Sequence, residues 1–137
     1  MGALVDVLSH EDPYVRIYAA EALASIGPSA GRATGALADA LGDPVPGVRW
    51  AACEALGSIG PAAQSAVPRL TSALQDPFLY VRIFAAGALG SIGPGARSAR
   101  EALKAAATDP ALHDEAEWAL RRIDGATSPA PVESRVV

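Results

Sequence analysis

Few side chains in this sequence have the type and spacing for chemistry. Cys53 beside Glu54 suggests a thiol nucleophile with a carboxylate at hand. Adjacent residues on a helix do not face one another. No histidine lies near in the repeat frame, since His10 sits at an early turn and His113 at the last, both expected to be solvated. A thiol without a base in reach has no route to the thiolate that attacks. Cys53 also stands where Ala20 and Ala86 stand, which marks a small structural residue. Arg16, Arg49 and Arg82, spaced evenly, resemble a phosphate track. On a helical wheel, however, they lie away from the other variable side chains. The Ile-Gly-Pro motifs read as helix terminators, because a phosphate cradle needs a preceding strand. One cysteine and two histidines exclude an internal disulfide and a cysteine-based zinc site. No catalytic residue, metal or cofactor is expected.

The chain has 137 residues and a mass of 13.9 kDa, enough for one domain with a real core. It is 50% hydrophobic but only 5% aromatic, and alanine fills 31 positions, which suits closely packed helices. Eleven basic against 15 acidic residues give a net charge of −4, with a single lysine, Lys104. A nucleic-acid partner is therefore not expected, because such binding rests on Lys and Arg neutralising phosphates. No apolar run approaches the roughly 18 residues of a membrane span. The start, from Met1 to Asp6, lacks a signal peptide's basic region. These features point to a cytoplasmic protein without a membrane partner.

A 33-residue period organises the sequence. Val15-Arg16 recurs as Val48-Arg49 and Val81-Arg82, and Ser25-Ile26-Gly27-Pro28 as Ser58-Ile59-Gly60-Pro61 and Ser91-Ile92-Gly93-Pro94. Asp43-Pro44, Asp76-Pro77 and Asp109-Pro110 mark the turns, where the first copy has His10-Glu11 instead. A fourth copy aligns through Ala119-Leu120 and Ile123 only if two residues are deleted. Each unit contains two helices. The first runs through segments such as Leu70 to Leu74, and the second spans about Pro46 to Ile59, with the turn aspartate able to cap it. Gly60 is placed to terminate the second helix and Pro61 to prevent its continuation. Helix pairs at this period stack into a solenoid, since one pair cannot cover its own apolar face.

The pattern Asp-Pro…Val-Arg-x-x-Ala-Ala-x-Ala-Leu-Gly-Ser-Ile-Gly-Pro resembles the HEAT-like repeat named for phycobilisome lyases, over about residues 3 to 125. The resemblance implies an all-α fold, a right-handed α-solenoid of stacked antiparallel helix pairs. The units fall at about 1–33, 34–66, 67–99 and 100–125. The last is a capping unit whose outer face carries Asp114, Glu115, Glu117, Arg121 and Arg122. Residues 126–137 read as a flexible C-terminal tail. The resemblance further implies that Arg16, Arg49 and Arg82 bond across to turn aspartates, for which Asp43, Asp76 and Asp109 are available. It also implies that the second helices line a concave, partner-facing surface.

Advancing 100° per residue along the second helix of copy one places Val15, Ala19, Ala22, Leu23 and Ile26 on a core arc. Tyr14, Ile17, Tyr18, Glu21 and Ser25 form a second arc, where the copies differ. There copy two has Gly47, Trp50, Ala51, Glu54 and Ser58, and copy three has Tyr80, Ile83, Phe84, Gly87 and Ser91. Trp118 joins this arc through the fourth copy, while Phe78 sits in a turn. Rings gathered on one face offer interface area at low entropy cost. The expected partner-binding residues are Tyr14, Ile17, Tyr18, Glu21, Trp50, Glu54, Tyr80, Ile83, Phe84 and Trp118. The expectation is a non-enzymatic scaffold that binds a protein or peptide bearing apolar and basic groups. The alternatives are a homodimer through the same face, or a bilin-handling lyase or chaperone of the kind the repeat is named for.

Overall fold

The computed structural model describes residues 2–125 and 129–131. All regular structure among them is helical. The helices are α1 (Gly2–Val7), α2 (Pro13–Ile26), α3 (Thr34–Ala40), α4 (Pro46–Ile59), α5 (Val67–Ala73), α6 (Leu79–Ile92), α7 (Arg100–Ala106) and α8 (His113–Ile123). The fold is an all-α solenoid of helix pairs. A 3-10 segment follows each of the long second helices, over Gly27–Ala33, Gly60–Ala66 and Gly93–Ala99. The stretch after each Ile-Gly-Pro is thus itself wound.

The second helices end at Gly27, Gly60 and Gly93, where φ is 74°, 74° and 79° and ψ is close to −140°. Only glycine takes that backbone conformation without strain. Each glycine N–H still donates to the carbonyl four residues back, so the helix closes its last turn before the chain swerves. The turn aspartates act one step earlier than a helix cap. Asp43 and Asp76 accept from the backbone N–H groups of Val45 and Phe78, which are themselves the N-caps. In the first unit the position of Asp43 belongs to His10, whose Nδ1 accepts from the N–H of Asp12 at 3.0 Å. His10 therefore does the aspartate's work in the turn. Asp12 then caps α2 by accepting from Tyr14.

The core consists of Leu23, Leu37, Leu56, Ile59, Leu70, Leu89, Ile92, Leu103 and Ile123, embedded among buried alanines. One member of the expected core arc departs: Ile26 is 41% exposed, whereas Ile59 and Ile92 are sealed. The reason is positional. α4, α6 and α8 each pack on the 3-10 segment of the preceding unit, and α2 has no such segment before it.

Helix α2 packs directly on α4, α4 on α6, and α6 on α8, so the second helices form a continuous row. The first helices α3 and α5 pack mainly on their own second helices and on the 3-10 segments before and after those helices, with no comparable direct packing on each other. Paired side chains tie the row together. The Arg16 guanidinium forks onto Asp43 at 2.8 and 3.0 Å, and Arg49 onto Asp76 at 2.7 and 3.1 Å. Both guanidinium groups also donate to turn carbonyls of their own unit, as Arg49 does to Asp43 at 2.8 Å. Such two-pronged, charge-assisted contacts fix both distance and angle between units.

The third rung does not form. Arg82 donates to the Asp76 carbonyl at 2.7 Å, but no ion pair joins it to Asp109 among the described residues. The fourth unit enters α8 through a tighter turn, in which Leu112 donates to the Asp109 carbonyl and has helical rather than extended dihedrals. The two-residue deletion also puts His113 where the earlier units carry arginine. Its Nδ1 lies 3.0 Å from the Ala107 carbonyl oxygen, six residues back, as Arg49 reaches Asp43.

Candidate functional site

The residues singled out from the sequence separate into three groups on the second-helix row. Tyr14 and Tyr18 on α2 are 68% and 65% exposed. Trp50, Tyr80 and Phe84 form a ring cluster across α4 and α6. Trp50 stacks on Tyr80 at a centroid distance of 5.1 Å with planes 13° apart, and meets Phe84 at 5.4 Å with planes tilted by 47°. Trp50 and Tyr80 remain exposed at their outer edges, while Phe84 is half-buried and leans on the core. The contact follows the repeat. The Cδ1 atom of Ile17 lies 3.0 Å from where a Cβ on Gly47 would be, and Trp50 and Tyr80 are the equivalents of that pair one unit on. Gly47 leaves room for Ile17, and in the next unit two rings share the same space.

Trp118 and Ile83 belong to the third group and correct the expected arc, since both are buried, Trp118 to 4% exposure. The indole of Trp118 packs with its Cζ3 and Cε3 atoms against Gly90 of α6 and is held within the core cluster. Glycine at position 90 creates the slot, and the Arg122 guanidinium covers the ring from 5.9 Å. Ile83 lies at the inner end of the cavity between α4, α6 and α8.

Glu21 and Glu54 occupy the same position on neighbouring helices α2 and α4, exposed at the rim of the row. The Glu54 carboxyl is held above its ordinary pKa, first by partial burial and then by the negative charge of Glu21. Glu115 is a second correction. It does not face outward as a capping charge but is buried at 1% exposure, where Phe84 stands in the preceding unit once the deletion is counted. The sequence held the clue, because the alignment that places Trp118 also places Glu115.

Cys53 has no chemistry available to it. It is completely buried, its thiol points at the Val81 carbonyl 3.9 Å away, and burial together with the Asp76 charge pushes its pKa far upward. Phe78, a turn residue by sequence, lies with its ring 5.6 Å from the Arg49 guanidinium and shields the second rung of the ladder. Asp76 sits below the usual carboxylate range. Burial opposes this, but the Arg49 hydrogen bond, the Phe78 N–H and the charges of Arg49 and Arg82 outweigh it. No cluster of His, Cys, Asp and Glu among the described residues has the makings of a metal site. No helix among them is long and apolar enough to cross a membrane.

A cavity of about 230 Å³ opens on this row between α4, α6 and α8, bordered by Glu54, Gly57, Phe84, Gly87, Glu115 and Trp118. Ala130 and Pro131 border it too. They fall in the segment expected to be a flexible tail, and Ala130 packs against the core cluster. The rest of that expected tail, 126–128 and 132–137, lies outside the described residues.

The family model for HEAT repeats matches residues 2–67, which cover the first two helix pairs and the Arg16–Asp43 rung. Residues 2–67 are HEAT repeats, and the later helix pairs continue the same HEAT-like pattern. No curated protein matches its sequence. Among solved structures, this HEAT-like chain is similar to an engineered protein at 29% identity and a TM-score of 0.74, over 88% of this chain and 61% of that one. A second engineered protein aligns at 24% identity and a TM-score of 0.78, over 92% and 64%. The chain therefore spans less than two thirds of either engineered protein. A third similar structure is the complex of CpcE and CpcF of phycocyanin lyase from Nostoc sp. PCC7120. It aligns at 20% identity and a TM-score of 0.56, covering 86% of the HEAT-like chain and 96% of that one. At that identity the likeness concerns the fold alone.

Proposed function

We propose that this chain is a non-enzymatic scaffold that binds a protein or peptide along the row formed by α2, α4, α6 and α8. The direct helix-on-helix packing of that row, against the looser spacing of the first helices, supports its being the inner, concave side. The observation that carries the reading is the Trp50–Tyr80–Phe84 cluster, which leaves two stacked rings open to solvent on a helix face. Each such ring offers roughly 150–250 Å² for burial. Together with Tyr14 and Tyr18 they approach the size of apolar patch that soluble monomers rarely leave uncovered. Glu21 and Glu54 beside the rings favour a partner with Lys or Arg next to its apolar anchors. Ile17, half-buried under the same face, sets the floor between Tyr14 and Trp50. Ile83 and Trp118 belong to the supporting wall rather than the contact surface.

Peptides selected from a displayed random library on the wild-type chain should be rich in apolar anchors flanked by basic residues. Their affinity for a chain carrying Trp50→Ala and Tyr80→Ala should fall at least tenfold, while the helical circular-dichroism spectrum stays the same. Equal affinity for both chains would overturn the proposal. A concentration-dependent rise in mass on sedimentation, abolished by the same double substitution, would replace it with self-pairing through this face.

A further inference from the structure

The cavity at the C-terminal end of the row is built differently from the ring cluster. Two glycines, Gly57 and Gly87, border it together with the small side chains of Ser58, Ala88 and Ser91. Gly87 on α6 faces open space, with no atom within 4 Å of where a Cβ would be, and Gly57 on α4 lies 3.4 Å from Ala88 Cα by the same measure. Phe84 and Trp118 form its apolar walls, and Glu54 and Glu115 bring carboxyl groups to its border. The result is a narrow trough with aromatic sides and a shallow bottom. Backbone carrying small or proline side chains fits such a trough, as proline-rich segments fit other aromatic-lined grooves. Their backbone is already stiff and loses little entropy on docking. One segment of this composition is already there: Pro129-Ala130-Pro131, with Ala130 and Pro131 on the cavity's border and Ala130 packed on the core cluster.

We propose that this trough is a docking site for a Pro-x-Pro segment, and that the chain's own Pro129-Ala130-Pro131 covers it in cis. Only the choice of face rests on the scaffold reading above, because the trough shares Phe84 with the ring cluster but includes neither Trp50 nor Tyr80. Alanine between the prolines matches the small side chains of the floor, and a negative side chain there would meet Glu54 and Glu115. An intramolecular ligand on a short tether acts at millimolar effective concentration. A Pro-x-Pro peptide supplied in trans must therefore compete with it, and binds well only when the resident segment is weakened.

Ala130→Asp in the full chain tests this. In a Trp50→Phe background Trp118 is the sole tryptophan, and Ala130→Asp should at least double its quenching by iodide. A synthetic peptide with the sequence of residues 127–133, Thr-Ser-Pro-Ala-Pro-Val-Glu, should bind the Ala130→Asp chain at least tenfold more tightly than the unchanged chain. Phe84→Leu added to Ala130→Asp should abolish that gain. The pair Pro129→Gly and Pro131→Gly should move both readouts in the same direction by a smaller factor. Unchanged quenching, or equal peptide affinity for the two chains, overturns the proposal. Either result leaves peptide capture at Trp50 and Tyr80 standing, so the two readings fail separately.

Discussion

The indole of Trp118 and the α-carbon of Gly90 are in direct apposition: a methyl group at residue 90 would lie 2.3 Å from Cζ3 and 2.7 Å from Cε3 of the ring. This contact joins the last helix to the array, and it is why a tryptophan on the variable arc ends up inside. Gly90→Ala should destabilise the fold by about 1–3 kcal/mol, because the methyl group would overlap the ring and also lie 3.0 Å from the backbone Cα of Ala119. Gly87→Ala, three residues away and facing open space, should instead stabilise by about 0.5–1 kcal/mol through helix propensity. Urea unfolding of the two variants should show midpoints displaced in opposite directions.

Arg49 and Arg82 hold equivalent positions but carry different loads. Arg49→Met strands the Asp76 carboxylate in a site where both partners' side chains are about nine-tenths covered. The expected cost is about 3 kcal/mol. Arg82→Met removes one hydrogen bond to a carbonyl and no salt bridge, with an expected cost of about 1 kcal/mol. Equal losses in chemical denaturation would show that the two rungs are alike.

Asp76 and Glu54 should respond to pH in opposite senses. The Asp76 pKa is lower folded than unfolded, so its ionised form stabilises the fold above the ordinary carboxylate range. That contribution is lost as pH falls through the folded value. Asp76→Asn should therefore be clearly less stable at pH 7 and converge with the wild type in strong acid.

Glu54 has its pKa raised by folding, so its ionised form opposes the fold above the ordinary carboxylate range. Glu54→Gln should be more stable than the wild type at pH 7. The gain should shrink as pH falls through the folded Glu54 value and vanish below the unfolded one. Melting temperatures measured across pH 3–8 check both variants.

Cys53 should be inert in the native state. Its thiol is buried and its pKa is driven upward by desolvation, so a disulfide reagent should react only at the rate of global or local opening. Cys53→Ala should fold, since alanine fills the same position as Ala20 and Ala86 in the neighbouring units. Rapid modification under native conditions would contradict the burial.

The sequence alone determined the architecture. A 33-residue period of Val-Arg, Ala-Leu and Ile-Gly-Pro can be met only by repeated helix pairs, and the observed α4 spans the expected Pro46 to Ile59. The resemblance to HEAT-like repeats implied an arginine–aspartate ladder, of which Arg16–Asp43 and Arg49–Asp76 form and Arg82–Asp109 does not. What the sequence could not decide was the fate of a side chain whose surroundings belong to another unit. Trp118 is buried because residue 90 is glycine, and Trp50 is stacked because residue 80 is tyrosine. Ile26 is bare because no 3-10 segment precedes α2, and Glu115 turns inward because a shortened turn re-phases α8. A helical wheel records only the angle at which a residue leaves its own helix. Exposure depends on what the neighbouring helix presents at that angle, and only the assembled stack supplies it.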